Sequence, residues 1–282
     1  PQSGVSTNST TRAFAFAKVR ISFEFVASLF VFFLYLCRPI EVLKSLMHSN
    51  NNRKKILLIE TATSICSVAL AEENRVLDLS ESDLPNSHSA KLHTLIDAML
   101  KRNDTPYEDL SAVALSLGPG SYTGLRIGTS AAKGFAYALD LPVIGVETPL
   151  VLANAALKRH KNSYILTMID AKRMEVYANI FDSQMNEIKA CSADVLNEGM
   201  YDEYLSNKAS VLLVGDGAEK TRSLFKNKAN YFYDADIRLS ALHMLEPAWK
   251  KYLAEDFLNT AYFEPFYLKS YIAVHSQVKG LR

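Results

Sequence analysis

Cysteine is scarce in this chain: Cys37, Cys66 and Cys191 are its three, far apart and odd in number. That pattern excludes a disulfide framework and a CxxC metal site, and it fits a reducing cytoplasm. An excess of charge of either sign is also missing. Lys and Arg number 31 against 30 Asp and Glu, a formal net charge of +1. No global field therefore draws the chain to nucleic acid, and any RNA contact has to come from a local patch. There is no HExxH, no G-x-S-x-G, and no glycine loop closed by Lys and then Ser or Thr. What remains is an ordinary globular composition, 49% hydrophobic and 22% charged, over 282 residues that suit one large domain or two small ones.

The most informative stretch is VALSLGPGSYTGLRIGTSAAKGFAYALD, from Val113 to Asp140. Its apolar opening, Val113 to Leu117, is stopped by Gly118-Pro119-Gly120 and predicts a buried strand. Ser121 and Thr123 are good N-cap residues, and a helix is expected from Gly124 to Leu139. A strand, a glycine loop and a helix aim backbone N–H groups and the positive end of a helix dipole at one point. Gly118, Gly120, Ser121, Thr123 and Gly124 are thus a candidate anion or nucleotide loop. The other reading is a tight turn that needs glycine for geometry alone. The loop is not a P-loop, since Leu125-Arg126 follows Gly124, and it misses the dinucleotide spacing by one residue.

The flanking sequence alternates strands and helices. Lys55 to Glu60, Ser67 to Ala71 and Arg75 to Leu79 read as strands of a hairpin or meander around the hydroxyl-rich turn Thr61–Ser64. A helix capped by Ser87 or Ser89 runs to about Arg102, with Leu92, Leu95, Ile96, Met99 and Leu100 on one face. His88 and His93 are five apart, not the spacing of a helical metal pair, so they read as surface or capping residues. Pro142 to Val146 is a strand and Pro149 to Arg159 a helix. The plan then recurs: Ile165 to Asp170 ends in an acid as Ile56 to Glu60 does, Glu175 to Phe181 is its hairpin partner, and Val211 to Val214 leads into Gly215-Asp216-Gly217. Unequal offsets make this an approximate duplication rather than a repeat array. Either the two halves are related lobes facing each other across a cleft, or strand-then-Gly-x-Gly recurs by chance. Leu239 to Tyr252 is expected to be helical, with Leu242, Leu245, Trp249 and Tyr252 on one side. Asn259 to Ser270 is expected to be extended or an edge strand.

Residues 1–54 read differently. Pro1 to Thr11 is polar and has the composition of disorder. Ile21 to Cys37, seventeen residues with Glu24 as the one charge, is at the short limit for a membrane helix, which needs about 20. The first methionine is Met47, and from there the chain runs into a strand. The expectation is that translation begins at Met47, with a membrane anchor as the alternative; a native peptide upstream of Met47 would overturn it. The resulting division is an N-terminal extension (1–54), a first lobe (55–160) and a second lobe (161–282).

The runs IETATSICSVAL (Ile59 to Leu70), LSLGPGSYTGLRIG (Leu115 to Gly128), IDAKRMEVY (Ile169 to Tyr177) and PFYLKSY (Pro265 to Tyr271) resemble the TsaB or YeaZ-like family. These are dimerization subunits of the bacterial machinery that makes threonylcarbamoyladenosine in tRNA, grouped with the glycoprotease (M22-like) proteins. The resemblance implies a two-lobed actin-like or sugar-kinase-like ATPase fold (ASKHA, ribonuclease H-like), α/β with duplicated mixed-sheet lobes. It implies no catalytic residue and no metal site. The catalytic paralogue, TsaD, carries a metal-binding His-x-x-x-His where this chain has Thr148 and Leu152, and neither side chain suits iron or zinc. Glu60 stands where family members usually have Asp, which leaves a magnesium-water contact open and adds Glu60 to the candidate anion loop.

The resemblance further implies a cytoplasmic, non-catalytic subunit that supports TsaD in modifying the adenosine next to the anticodon, in an assembly with the small ATPase TsaE. No cofactor of its own is implied; ATP and magnesium at a composite site, a homodimer when alone, and indirect contact with tRNA stay open. No membrane is expected unless residues 21–37 are native. The family pairs through its first-lobe helices, which here points to Leu92, Met99, Ala131, Ala132 and Phe135, with Tyr137 beside them; the same residues also suit packing on the chain's own sheet. The competing expectation is a stand-alone ATPase or metallopeptidase-like hydrolase.

Overall fold

The computed structural model describes residues 53–84 and 88–269. The chain divides into two compact units, 1–52 and 53–282, and every described residue belongs to the second. The expectations for Met47 and for Ile21 to Cys37, and the capping role of Ser87, lie outside the described residues.

Two five-stranded sheets are built on one plan. In the first, β1 (Lys55–Glu60), β2 (Cys66–Glu72), β3 (Arg75–Ser82), β4 (Leu110–Gly118) and β5 (Val143–Glu147) lie in the order β3-β2-β1-β4-β5. In the second, β6 (Tyr164–Asp170), β7 (Glu175–Phe181), β8 (Glu187–Val195), β9 (Val211–Val214) and β10 (Tyr231–Tyr233) lie in the order β8-β7-β6-β9-β10. In each, the first three strands are an antiparallel meander and the other two add in parallel to the first. The recurrence in the sequence is therefore a true duplication of topology.

Composition explains the central places. All six residues of β1 are buried, as a strand covered on both faces requires, and KILLIE is the matching near-continuous apolar run. Parallel β1–β4 pairing needs a crossover, supplied by helix α1 (His88–Arg102). Helix α2 (Tyr122–Leu139) makes the next crossover, to β5, and α3 (Thr148–Arg159) leads into the second sheet. A one-turn helix α4 (Asp202–Leu205) and helix α5 (Leu245–Leu253) complete the helices among the described residues.

The core has three parts. Leu57, Ile59, Val113 and Leu115 of the first sheet pack with Leu92, Ile96, Met99 and Ala132 of α1 and α2. Leu166, Met168 and Ile180 of the second sheet pack with Tyr201, Leu205 and Phe225. The third part joins the sheets: Ile56, Leu58 and Val146 from one and Ile165, Leu212 and Val214 from the other close around Val151, Leu152 and Ala155 of α3 and around Met244.

Two expectations need correction. Residues 239–252 are not one helix, because a 3-10 turn (Ala241–Met244) precedes α5 and leaves Leu242 exposed. Residues 259–269 form no edge strand; the Phe266 amide donates to the Leu117 carbonyl (2.7 Å), Lys133 Nζ to the Ala261 carbonyl (3.3 Å), and, just before the segment, the Leu258 amide to the Val143 carbonyl (2.8 Å). The segment so returns to the first sheet. Strand β8 carries no clear signal in the sequence. Among the described residues, no helix is long and apolar enough to cross a membrane.

Candidate functional site

The two lobes enclose a cleft of about 710 Å³. One wall is the glycine loop and the turn after β1; the other is the turn between β6 and β7. The first wall is knitted from the backbone. The Ala62 amide donates to Glu60 Oε1 at 2.7 Å, and the Ser121 amide donates to the Ala62 carbonyl at 2.6 Å. Ser121 then caps α2, its hydroxyl accepting from the Gly124 amide at 3.2 Å. Thr123 lies inside the first turn, so Ser121 alone does the capping expected of the pair. Gly118 adopts φ of +116°, a conformation open to glycine. At Gly124 the need is space, since a β-carbon there would collide with the Thr61 carbonyl.

Gly120, Ser121, Thr123 and Gly124 line the cleft; Gly118 is buried behind it. Glu60 is fully buried and does not line it. Its Oε2 has no hydrogen-bond partner among the described residues. Burial pushes its pKa up from 4.5 to about 7, against the opposing bonds from the Ala62 amide, Ser116 and the Thr61 amide. Glu60 is thus a support beneath the turn, and a magnesium-water contact from it would need the turn to open.

On the second wall, Asp170, Lys172, Arg173 and Glu175 come from the β6–β7 turn and Asp216 from the glycine turn after β9. Of the two strand-end acids, Asp170 faces the glycine loop across the cleft, and Glu60 is buried behind it. Burial pushes Asp170 up, but ion pairs with Lys220 and Lys172 and the Lys172 amide outweigh it, so it sits below the ordinary carboxylate value. Burial raises Asp216, although its Oδ1 accepts the Asp170 amide at 2.9 Å. Lys172 and Arg173 are consecutive non-glycine residues at φ of +67° and +52°, a strained turn that holds two cations at the cleft.

Thr148 and Leu152, the positions matched to the paralogue's metal pair, are both fully buried in α3. Leu152 belongs to the core between the sheets. Among the described residues no three His, Cys, Asp or Glu side chains cluster as metal ligands would.

A second concavity, about 810 Å³, runs between α1 and α2 and is lined by His93, Ile127, Ser130, Gly134, Phe135 and Ala138 among others. The residues expected at a partner interface divide here. Leu92, Met99 and Ala132 are fully buried against the chain's own sheet, and Ala131 is nearly so. The first three are core rather than partner anchors, because the apolar stripe that marks them is the one the sheet covers. Phe135 is half-buried at the groove, its ring 5.8 Å from both His93 and Tyr107. Tyr137 is 90% exposed.

Sequence reasoning missed His88. It lies one turn before Leu92 on the buried stripe, which was the available signal, and it is buried where a surface or capping residue was expected.

A sequence profile for the family described as TsaD, tRNA N6-adenosine threonylcarbamoyltransferase, matches residues 83–244. The chain is similar to the tRNA threonylcarbamoyladenosine biosynthesis protein TsaB of Escherichia coli strain K12, 30% identical over 223 residues, covering 78% of this chain and 96% of that protein. The protein of the same name from Haemophilus influenzae is 30% identical over 229 residues, covering 76% and 93%. Among solved structures, YeaZ from Pseudomonas aeruginosa has the same fold, with TM-score 0.64, 23% identity, and coverage of 76% of this chain and 100% of that one.

Proposed function

The chain belongs to the TsaB family of tRNA threonylcarbamoyladenosine biosynthesis proteins, and from that premise we propose that it is a non-catalytic subunit that pairs with a TsaD-type transferase through the groove between α1 and α2. The observation that carries the reading is that groove. It is apolar, it holds a half-buried aromatic, Phe135, and its floor carries Gly134, whose missing side chain leaves open space. A partner helix needs such an anchor and such close approach.

The chemistry of the transfer belongs to the partner in this reading. Thr148 and Leu152 supply no imidazole, thiolate or carboxylate, and both are fully buried, Leu152 in the core between the sheets. This chain then holds the transferase in working form, within an assembly that includes a TsaE-type ATPase, and meets tRNA through its partner. ATP with magnesium would act at a site shared between subunits, and a homodimer through the same groove would be its state when alone.

The test is co-expression with the TsaD-type paralogue, followed by sizing with and without ATP. A heterodimer and no turnover by the chain alone are expected. Failure of the two to associate would overturn the proposal.

A further inference from the structure

The groove between α1 and α2 carries charge of one sign. Among the described residues that line it there is no Asp or Glu, and Arg126 is the one permanent cation. Helix α2 has no acid from Tyr122 to Leu139. The acid of α1, Asp97, is taken by Lys101 at 2.8 Å. The other cation of α2, Lys133, is turned to its own chain. Its Nζ lies 4.6 Å from the centre of the Phe263 ring and donates to the Ala261 carbonyl at 3.3 Å.

Arg126 is exposed, yet its head is held in place. One turn earlier on α2, the Tyr122 hydroxyl accepts from Arg126 Nη1 at 3.0 Å, and the guanidinium lies 5.3 Å from the centre of that ring. The Tyr122 ring in turn rests 5.0 Å from Tyr267, on the segment that Phe266 ties to Leu117. Both contacts are to neutral groups. Arg126 forms no ion pair with an acid among the described residues, Glu264 of the same segment included.

A helix seated over the groove strips water from this guanidinium, and a cation covered without a counter-charge opposes association. An aimed, stacked Arg loses little freedom on binding, and its fork fits a carboxylate with two parallel bonds. Resting on the pairing read above, we propose that Arg126 selects the partner by taking a carboxylate from it. The groove therefore fits a helix with an apolar stripe for Phe135 and Gly134 and an Asp or Glu facing the first turns of α2.

The experiment measures the affinity of the full chain for the full-length TsaD-type paralogue at low and high salt, for wild type, Arg126→Gln and Arg126→Lys. Arg126→Gln is expected to bind at least tenfold more weakly at low salt and to lose most of the salt dependence. Arg126→Lys, which keeps the charge without the fork, is expected to recover part of the loss. Arg126→Glu is expected to bind more weakly still, and to be restored by an acid-to-Arg change on the groove-facing helix of the paralogue. Thermal melts of all variants are expected to match wild type, since the side chain is exposed. Equal affinity and equal salt dependence in wild type and Arg126→Gln would overturn this inference and leave the pairing standing. Failure of wild type itself to associate would overturn the pairing. Weaker self-association in Arg126→Gln with an unchanged heterodimer would assign the carboxylate to a second copy, and would also overturn the inference.

Discussion

The Ala62 amide donates a 2.7 Å hydrogen bond to the carboxyl of Glu60, in a place no solvent reaches. That bond fixes the turn on which the glycine loop rests, and it holds a carboxyl that burial has pushed up from 4.5 to about 7. The native chain keeps this proton up to about pH 7, whereas the unfolded chain releases it near pH 4.5. Stability from this group is therefore fully present below pH 4.5, falls as pH rises, and is gone above about pH 7. One pKa unit corresponds to about 1.4 kcal/mol, so the loss is on the order of 3 kcal/mol. Glu60→Gln is expected to flatten the decline and to be more stable than wild type at pH 8. Denaturant melts at pH 5, 6, 7 and 8 check it; parallel profiles for the two proteins would refute it.

Gly134 separates folding from pairing. A β-carbon there meets nothing within 4 Å, and glycine inside a helix costs about 0.5–1 kcal/mol relative to alanine. Gly134→Ala is expected to raise stability by that amount. Gly134→Arg is expected to fold as well as wild type while filling the groove and reducing heterodimer formation at least tenfold. Thermal melts and sizing with the paralogue read the two effects separately.

Leu92 and Met99 are expected to behave in the opposite way. Both are fully buried with Ile96 and Leu57, so truncation leaves a cavity. Leu92→Ala and Met99→Ala should each cost about 2–5 kcal/mol of folding stability. At temperatures where the variants remain folded, pairing should be close to wild type. A variant that lost pairing without losing stability would return these residues to the interface.

Gly124 tests the contact between helix and turn. A methyl group there would run into the Thr61 carbonyl, and overpacking of this kind costs about 1–3 kcal/mol. Gly124→Ala is expected to destabilise by that amount even though alanine is the better helix former. A neutral or stabilising result, read by chemical denaturation, would show that the turn yields freely.

The legible parts of this fold were those with strong periodicity. β1, β7 and β9 are compact apolar runs, and the expected and observed spans agree to within a residue. The strand-loop-helix unit from Val113 to Leu139 was readable because its glycines and Ser121 carry local rules. β8 was hidden because EIKACSADV is a partly exposed edge strand that mixes four polar residues with small apolar ones and shows no compact apolar run. The aromatic segment after Leu258 misled in the other direction: its ring-rich composition suits a strand, but it is anchored by single bonds. At the candidate site, the glycine loop was legible and His88 was not. A histidine on an apolar stripe gives no sign in sequence of whether its second nitrogen finds a partner.

The core that lies between the sheets has a consequence for dissection. Ile56, Ile165, Val214 and Leu152 all depend on one another's surfaces. Cutting the chain near residue 160 would strip an oily face from each half, leaving neither fragment a finished object. The duplicated halves, whatever their origin, are therefore expected to melt as a single cooperative body.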